Sequence, residues 1–208
     1  MLPYKNKNAI EAGMDEAGRG PLIGRVYVAV VIWPKNITPE TDPICKNVID
    51  SKKLSKKKRE DIESYIKNTA EDYAIEFAEP QEIDEKNILN AVIDAWHRAI
   101  DKLKITPEHL LIDGNRFKQY KDIDHTCVKG GDAKYLSIAA ASILAKVEHD
   151  RHILNLLEEN NHLEKYGIRT NMGYGTKKHM DAINNYGISE FHRKSFTINS
   201  KKNSRKKL

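Results

Sequence analysis

Cysteine is scarce in this chain: among 208 residues only Cys45 and Cys127 carry a thiol. Two thiols so far apart, with no paired spacing, exclude a disulfide framework and a cysteine zinc site, and they suit a reducing compartment. Long apolar runs are missing as well. The longest, Val26 to Trp33, has eight residues, far short of the roughly 20 that span a bilayer. The opening residues, Met1-Leu2-Pro3-Tyr4-Lys5-Asn6-Lys7, contain no apolar h-region, so no secretory signal is expected and a cytoplasmic location is. There is no internal repeat and no long linker. With 39% apolar and 31% charged residues, the chain is too apolar for disorder and long enough for one substantial core.

Acidic residues are absent from 192–208, which hold seven of the 35 Lys and Arg. The rest of the chain carries 28 basic against 30 acidic residues, so the net charge of +5 originates at that end. A second basic cluster comprises Lys52, Lys53, Lys56, Lys57, Lys58 and Arg59. A near-neutral body with two basic patches fits contact with a polyanion such as nucleic acid. Residues 199–208 show no apolar pattern and are expected to form a disordered basic tail behind a single domain of residues 1–198.

The hydrophobic pattern gives an α/β domain with a mixed sheet. Strands are expected at Ile10–Asp15, Val26–Ile32, Tyr73–Phe77, His109–Asp113 and Thr126–Val128. The apolar stripe from Ile83 to Leu103 reads as one amphipathic helix opened by Pro80 and Gln81. Further helices are expected after Ser55, over 136–159 and over 177–186, the last stopped by Gly187. The Ala/Ser-rich start of the 136–159 helix would permit close packing against a sheet.

Four acids stand out by position. Asp15 and Glu16 close the first strand, Asp113 closes a later one, and Asp132 follows the Gly130-Gly131 turn. Sites in α/β sheets form at strand ends, where flanking loops leave a crevice. Carboxylates gathered there repel each other, and a divalent cation lets several stay ionised together. Oxygen-only ligation suits Mg²⁺ or Mn²⁺ better than zinc. Other chemistries fit less well. The glycines around Gly18-Arg19-Gly20 match neither the dinucleotide fingerprint nor the P-loop. No Gly-x-Ser-x-Gly elbow and no His-Glu-x-x-His pair occurs. His149 and His152 are expected in solvated or capping positions, and Cys127 in the core. What Gly18 and Gly20 allow is close approach of backbone N–H groups to an anionic ligand or to a ribose 2′-hydroxyl.

Met14-Asp15-Glu16-Ala17-Gly18-Arg19-Gly20-Pro21-Leu22 resembles the opening motif of the type 2 ribonucleases H, specifically the bacterial ribonuclease HII family. The resemblance continues in order through Asp50-Ser51-Lys52-Lys53-Leu54-Ser55, Leu111-Ile112-Asp113-Gly114 and Gly131-Asp132-Ala133-Lys134. It then takes in the helix motif from Ser137 to Val147, Gly173-Tyr174-Gly175-Thr176-Lys177-Lys178-His179 and His192-Arg193-Lys194-Ser195-Phe196. Two positions depart from the family pattern. Gly130-Gly131 has one glycine more than usual, and His149 stands before Asp150 where the family carries arginine. The sibling type HIII enzymes differ in their Gly-Lys-Gly loop.

The resemblance implies a ribonuclease H-like fold, a mixed five-stranded sheet flanked by helices. It implies a metal-dependent endonuclease that cleaves the RNA strand of RNA–DNA hybrids and cuts at ribonucleotides embedded in duplex DNA, leaving 3′-hydroxyl and 5′-phosphate ends. Asp15, Glu16, Asp113 and Asp132 take the places of the family's metal-binding carboxylates. Two Mn²⁺ or Mg²⁺ ions about 4 Å apart would clamp the scissile phosphate. Gly18, Arg19 and Gly20 take the places that contact the ribonucleotide, Tyr174 that of the tyrosine stacked on the following sugar, and Lys52 that of a phosphate-contacting lysine. A monomer with no membrane attachment is expected; the sequence is compatible with docking of a sliding clamp and does not decide whether the tail meets DNA or such a protein partner. Deleting residues 199–208 is expected to spare the chemistry, weaken duplex affinity and lower the salt slope by up to ~0.9 per lost phosphate contact. Binding isotherms over a salt series test this; an unchanged slope would assign the tail another role.

Overall fold

The computed structural model describes residues 1–196, and the expected disordered tail lies outside the described residues. Five strands form one sheet: β1 (Glu11–Ala17), β2 (Val26–Ile32), β3 (Asp72–Ala78), β4 (His109–Asp113) and β5 (Asp124–Val128). Their order is β3-β2-β1-β4-β5. β1 runs antiparallel to β2 and parallel to β4, and β5 is parallel to β4. This is the expected mixed five-stranded sheet. Among the described residues six α-helices accompany it: α1 (Lys56–Thr69), α2 (Pro80–Lys86), α3 (Ile88–Asp101), α4 (Leu136–Glu159), α5 (Ile168–Asn171) and α6 (Lys177–Tyr186). Among the described residues no helix is long and apolar enough to cross a membrane.

Both faces of the sheet are covered, which explains why β2 is apolar at every position. Val26, Val28, Val30 and Ile32 pack with Met14, Leu110 and Ile112 against Ala91, Val92, Ala95 and Trp96 of α3. Ala29 and Val31 face the other way, toward α1 and the Ala139–Ala145 stretch of α4. The small residues at the start of α4 serve close approach. At Gly13 of β1, an added Cβ would fall 2.3 Å from the Ser137 carbonyl carbon. A third cluster, including Leu22, Ile23, Ile153, Leu157, Tyr166 and Ile183, joins the far end of α4 to the C-terminal helices and to the loop after β1.

Three expectations need correction. The stripe from Ile83 to Leu103 is two helices, because Asn87 adopts φ 67° and caps the second one. Its Oδ1 accepts from the N–H groups of Leu89 and Asn90 at 3.0 and 3.2 Å, a role asparagine fills because it tolerates left-handed φ and supplies a capping oxygen. His149 is neither solvated nor a cap: it is fully buried, with Nδ1 3.1 Å from Asp150. His152 is half-buried, its ring 5.8 Å from that of Tyr27, and burial together with Arg25 pulls its pKa down to about 4. Arg59, counted with the basic patch, turns inward instead. Its guanidinium donates to the carbonyls of Ser51 and Leu54 and to Asp150, so it pins α1 to α4. With Lys146 2.6 Å away on the other oxygen, Asp150 has its cations from two places, although its neighbour is histidine. Cys127 is half-buried and burial pushes its thiol upward, in keeping with a packing role.

Gly13→Ala forces α4 away from β1. Because backbone atoms, not a flexible side chain, occupy the space, the loss of stability is expected at about 1–3 kcal/mol. Urea unfolding measures it, and a loss below about 0.5 kcal/mol would show that the contact can relax.

Candidate active site

Parallel pairing of β1 and β4 sets the site. Met14 lies level with Ile112, so the next residue of each strand, Asp15 and Asp113, reaches the same end of the sheet. β5 ends beside Asp113, at Val128, and the chain then reverses through Gly130 in a left-handed conformation (φ 62°) to a short 3-10 turn, Gly131–Ala133. The extra glycine thus forms the corner. Gly131 is close-packed, with Ile138 2.5 Å from the position a Cβ would take, and its N–H donates to Asp113 Oδ1 at 2.7 Å. This turn delivers Asp132. Ligand oxygens of Asp15, Asp113 and Asp132 all lie within 4.8 Å of one another.

Glu16 sits beside this trio and not in it. Its Oε1 accepts from Arg19 Nη1 at 2.9 Å, while Oε2 is buried with no partner among the described residues. Three carboxylates in contact distance and one orphaned carboxylate oxygen form an all-oxygen donor set for a hard divalent cation. The electrostatics agree. Burial, then Glu16, then Asp113 hold the Asp15 carboxyl well above its ordinary range. Burial raises Glu16 against the pull of Arg19. Burial and Asp113 raise Asp132. Lys52 shows the reciprocal effect: burial opposes its charge, but Asp50, Asp132, Asp15 and Asp113 outweigh it and move its pKa up.

The remaining expected residues line one cleft of about 320 Å³. Asp15, Glu16, Gly18, Arg19, Gly20, Lys52 and Tyr174 all border it. Gly18 has φ +90°, and a Cβ there would strike the His149 ring at 2.3 Å; a Cβ on Gly20 would stand 3.1 Å from Tyr174 Cε1. The loop therefore passes between a buried imidazole and the half-exposed tyrosine ring. Sequence reading missed several groups here. Ser142, hydrogen-bonded to Ser51 at 2.9 Å, also favours the charged form of Asp15. The Trp96 indole donates to the Asp15 carbonyl at 3.4 Å. A second cleft across Glu16 and Asp113 is lined by Asn115 and Arg116, which follow Asp113-Gly114 in the sequence. A larger cavity of about 580 Å³, bordered by Arg25, Glu79, Glu148 and Arg151, contains none of the expected site residues.

Carboxylates gathered at the shared end of two parallel strands, in a sheet of this order, form the donor set of a divalent-metal centre on a mixed α/β sheet. Comparison with known proteins gives the particular family. Residues 12–199 match the family model described as ribonuclease HII. The ribonuclease HII of Phocaeicola vulgatus is 49% identical over 198 residues, 95% of this chain and 94% of the relative. The solved ribonuclease H2 of Pyrococcus horikoshii is 26% identical with a TM-score of 0.75, covering 94% of this chain and 99% of that one. The ribonuclease HII of Archaeoglobus fulgidus, solved in complex with PCNA, is 26% identical with a TM-score of 0.71, covering 90% of this chain and 94% of that one. The chain belongs to the ribonuclease HII family. It is a ribonuclease H-type endonuclease that uses divalent metal ions and acts on RNA–DNA substrates.

Asp113→Asn keeps the shape of the side chain and removes one charge from the cluster. Activity is expected to fall by roughly 10²-fold or more. In EDTA at pH 7 the variant is expected to melt higher than the parent, because Asp113 raises Asp15. A carboxyl raised in the native state loses stability as pH rises through its folded pKa and regains it when protonated. The advantage of Asp113→Asn should therefore shrink as pH falls from 7 toward the ordinary carboxylate range. Near-parental cleavage in saturating Mg²⁺ would remove Asp113 from the site.

Proposed function

We propose that this protein, acting as a cytoplasmic monomer, cleaves the RNA strand of RNA–DNA hybrids and incises duplex DNA at single embedded ribonucleotides. The ends would be a 3′-hydroxyl and a 5′-phosphate. Residues 1–198 serve as one catalytic domain in this reading, and the basic tail behind it adds affinity for the duplex. The observation that carries the proposal is the shared cleft, in which the carboxylate cluster borders the Gly18–Gly20 loop and Tyr174.

Asp15, Glu16, Asp113 and Asp132 would hold the divalent ions, whose chemistry there would be activation of water and neutralisation of phosphate charge. The protein's own groups position the substrate, as phosphoryl transfer demands. Lys52 keeps its charge among the carboxylates and faces a backbone phosphate. Arg19 is held back by Glu16 at 2.9 Å, which leaves the backbone of Gly18 to Gly20 as the part of the loop nearest the sugar. Those backbone groups meet the 2′-hydroxyl. The Tyr174 ring, 43% exposed and in contact distance of Gly20, packs on the next sugar. A deoxyribose offers that ring an apolar face, whereas a ribose would have to desolvate its 2′-hydroxyl.

Tyr174→Ala is expected to lose much more activity on a duplex with one ribonucleotide than on an all-RNA strand in a hybrid. The measurement is the mutant-to-parent ratio of kcat/KM on the two substrates. Equal ratios would reduce the ring to general binding.

A further inference from the structure

The loop that lines the cleft is held from below by a cation that no step of the reaction uses. Arg193 is fully buried, and among the described residues its side-chain hydrogen bonds all go to backbone carbonyls. Its guanidinium donates Nε to the carbonyl of Gly24 at 2.9 Å, Nη1 to those of Arg19 and Pro21 at 3.1 and 2.8 Å, and Nη2 to that of Gly18 at 2.7 Å. A five-donor planar fork fits such a ring of acceptors, which the point charge of a lysine would not. The orientation has a consequence. In a trans peptide the C=O and N–H point in opposite directions. Drawing the carbonyls of Gly18 and Arg19 inward turns the N–H groups of Arg19 and Gly20 outward, and these residues border the cleft.

The residue before it works on the other wall. Ser189 N–H donates to His192 Nδ1 at 3.0 Å, so the proton of His192 is on Nε2. That Nε2 lies 3.0 Å from His179 Nε2, and His179 Nδ1 is 3.0 Å from the Tyr174 carbonyl. One set of neutral tautomers satisfies all three contacts, with the chain of donation ending at Tyr174. Both rings are buried, and burial lowers the pKa of each. Backbone bonds tie the same parts together: Arg193 N–H to the Leu22 carbonyl at 2.8 Å, and Leu22 N–H to the Gly173 carbonyl at 2.8 Å. The segment is in turn anchored on α2, where Asp84 accepts from the N–H groups of Lys194 and Ser195, each at 2.9 Å.

We propose that Arg193 is a positioning residue for ribonucleotide recognition: it aims the N–H groups of the Gly18–Gly20 loop into the cleft, while His192, through His179, sets the backbone of Tyr174 opposite. This rests on the reading of the loop and Tyr174 as the groups that meet the ribonucleotide. Arg193 touches neither substrate nor metal, so its effect is on geometry alone.

The test compares Arg193→Ala and Arg193→Lys with the parent on a duplex containing one ribonucleotide. A misplaced loop is expected to lower kcat/KM by roughly 10²-fold for Arg193→Ala, with the Mn²⁺-induced rise in Tm retained. Millimolar guanidinium is expected to restore at least tenfold of the loss, and equimolar NaCl or urea none. In a Tyr174→Ala background the same substitution should cost several-fold less, since the two act on one recognition step. If Arg193→Ala fails to fold, Arg193→Lys, which keeps the charge and loses the fork, carries the test with an intermediate loss. Parental kinetics in the variant that folds would overturn the proposal, as would a loss that guanidinium does not relieve and that is unchanged in the Tyr174→Ala background. Should Tyr174→Ala lose equally on both substrates while guanidinium still rescues Arg193→Ala, the positioning role stands and the sugar-sensing role of the ring falls.

Discussion

Holding Asp15, Asp113 and Asp132 with ligand oxygens within 4.8 Å of one another is electrostatically unfavourable before any cation arrives. Burial and the repulsion of neighbouring carboxylates raise the Asp15 and Asp132 carboxyls, and the rest of the fold sustains that arrangement. Three backbone supports do so. The β1–β4 pairing fixes Asp15 against Asp113. The Gly131 N–H binds Asp113 and sets the turn that carries Asp132. Close packing of α4 on Gly13 keeps β1 from shifting. The strand pairing and the α4 packing are insensitive to the charge they confine, and the Gly131 N–H favours it by donating to the carboxylate. The repulsion is thereby stored in a rigid frame, and a divalent cation relieves it on binding.

Much of this was legible in the sequence because it is written in local chemistry. β2 is apolar at all seven positions, as burial on both faces requires. α1 starts after Ser55, whose hydroxyl accepts from Lys58 N–H. α4 and α6 follow the expected spans, and the acids at strand ends meet because β1 and β4 run in the same direction. The opening motif and the Ala/Ser-rich helix motif were specific enough to indicate the family.

What was not legible depends on partners distant in sequence. Between Ile83 and Ile88 the sequence has neither proline nor glycine, so nothing local announces a break made by one backbone angle at Asn87. Arg59 reads as one more cation in a lysine cluster until α4 supplies Asp150. His149 looks like a surface residue of a helix whose polar and apolar positions are mixed; its burial beneath Gly18 follows from how the loop crosses α4. Arg193 sits at the edge of the basic end of the chain, where charge counting assigns it to solvent. Its four carbonyl partners belong to a loop whose C=O groups no pattern in the sequence exposes.

The bond from Arg193 to the Gly18 carbonyl spans 175 residues, which orders events during synthesis. All four candidate metal-binding carboxylates have been made once residue 132 is joined. The support for the recognition loop comes from one of the last described segments of the chain. A polypeptide interrupted between the two has the acids of a nuclease and lacks the brace of its discriminating loop. On the proposed reading of that loop, selectivity is the final property the growing chain acquires, and a C-terminal truncation threatens accuracy before it threatens the carboxylate cluster.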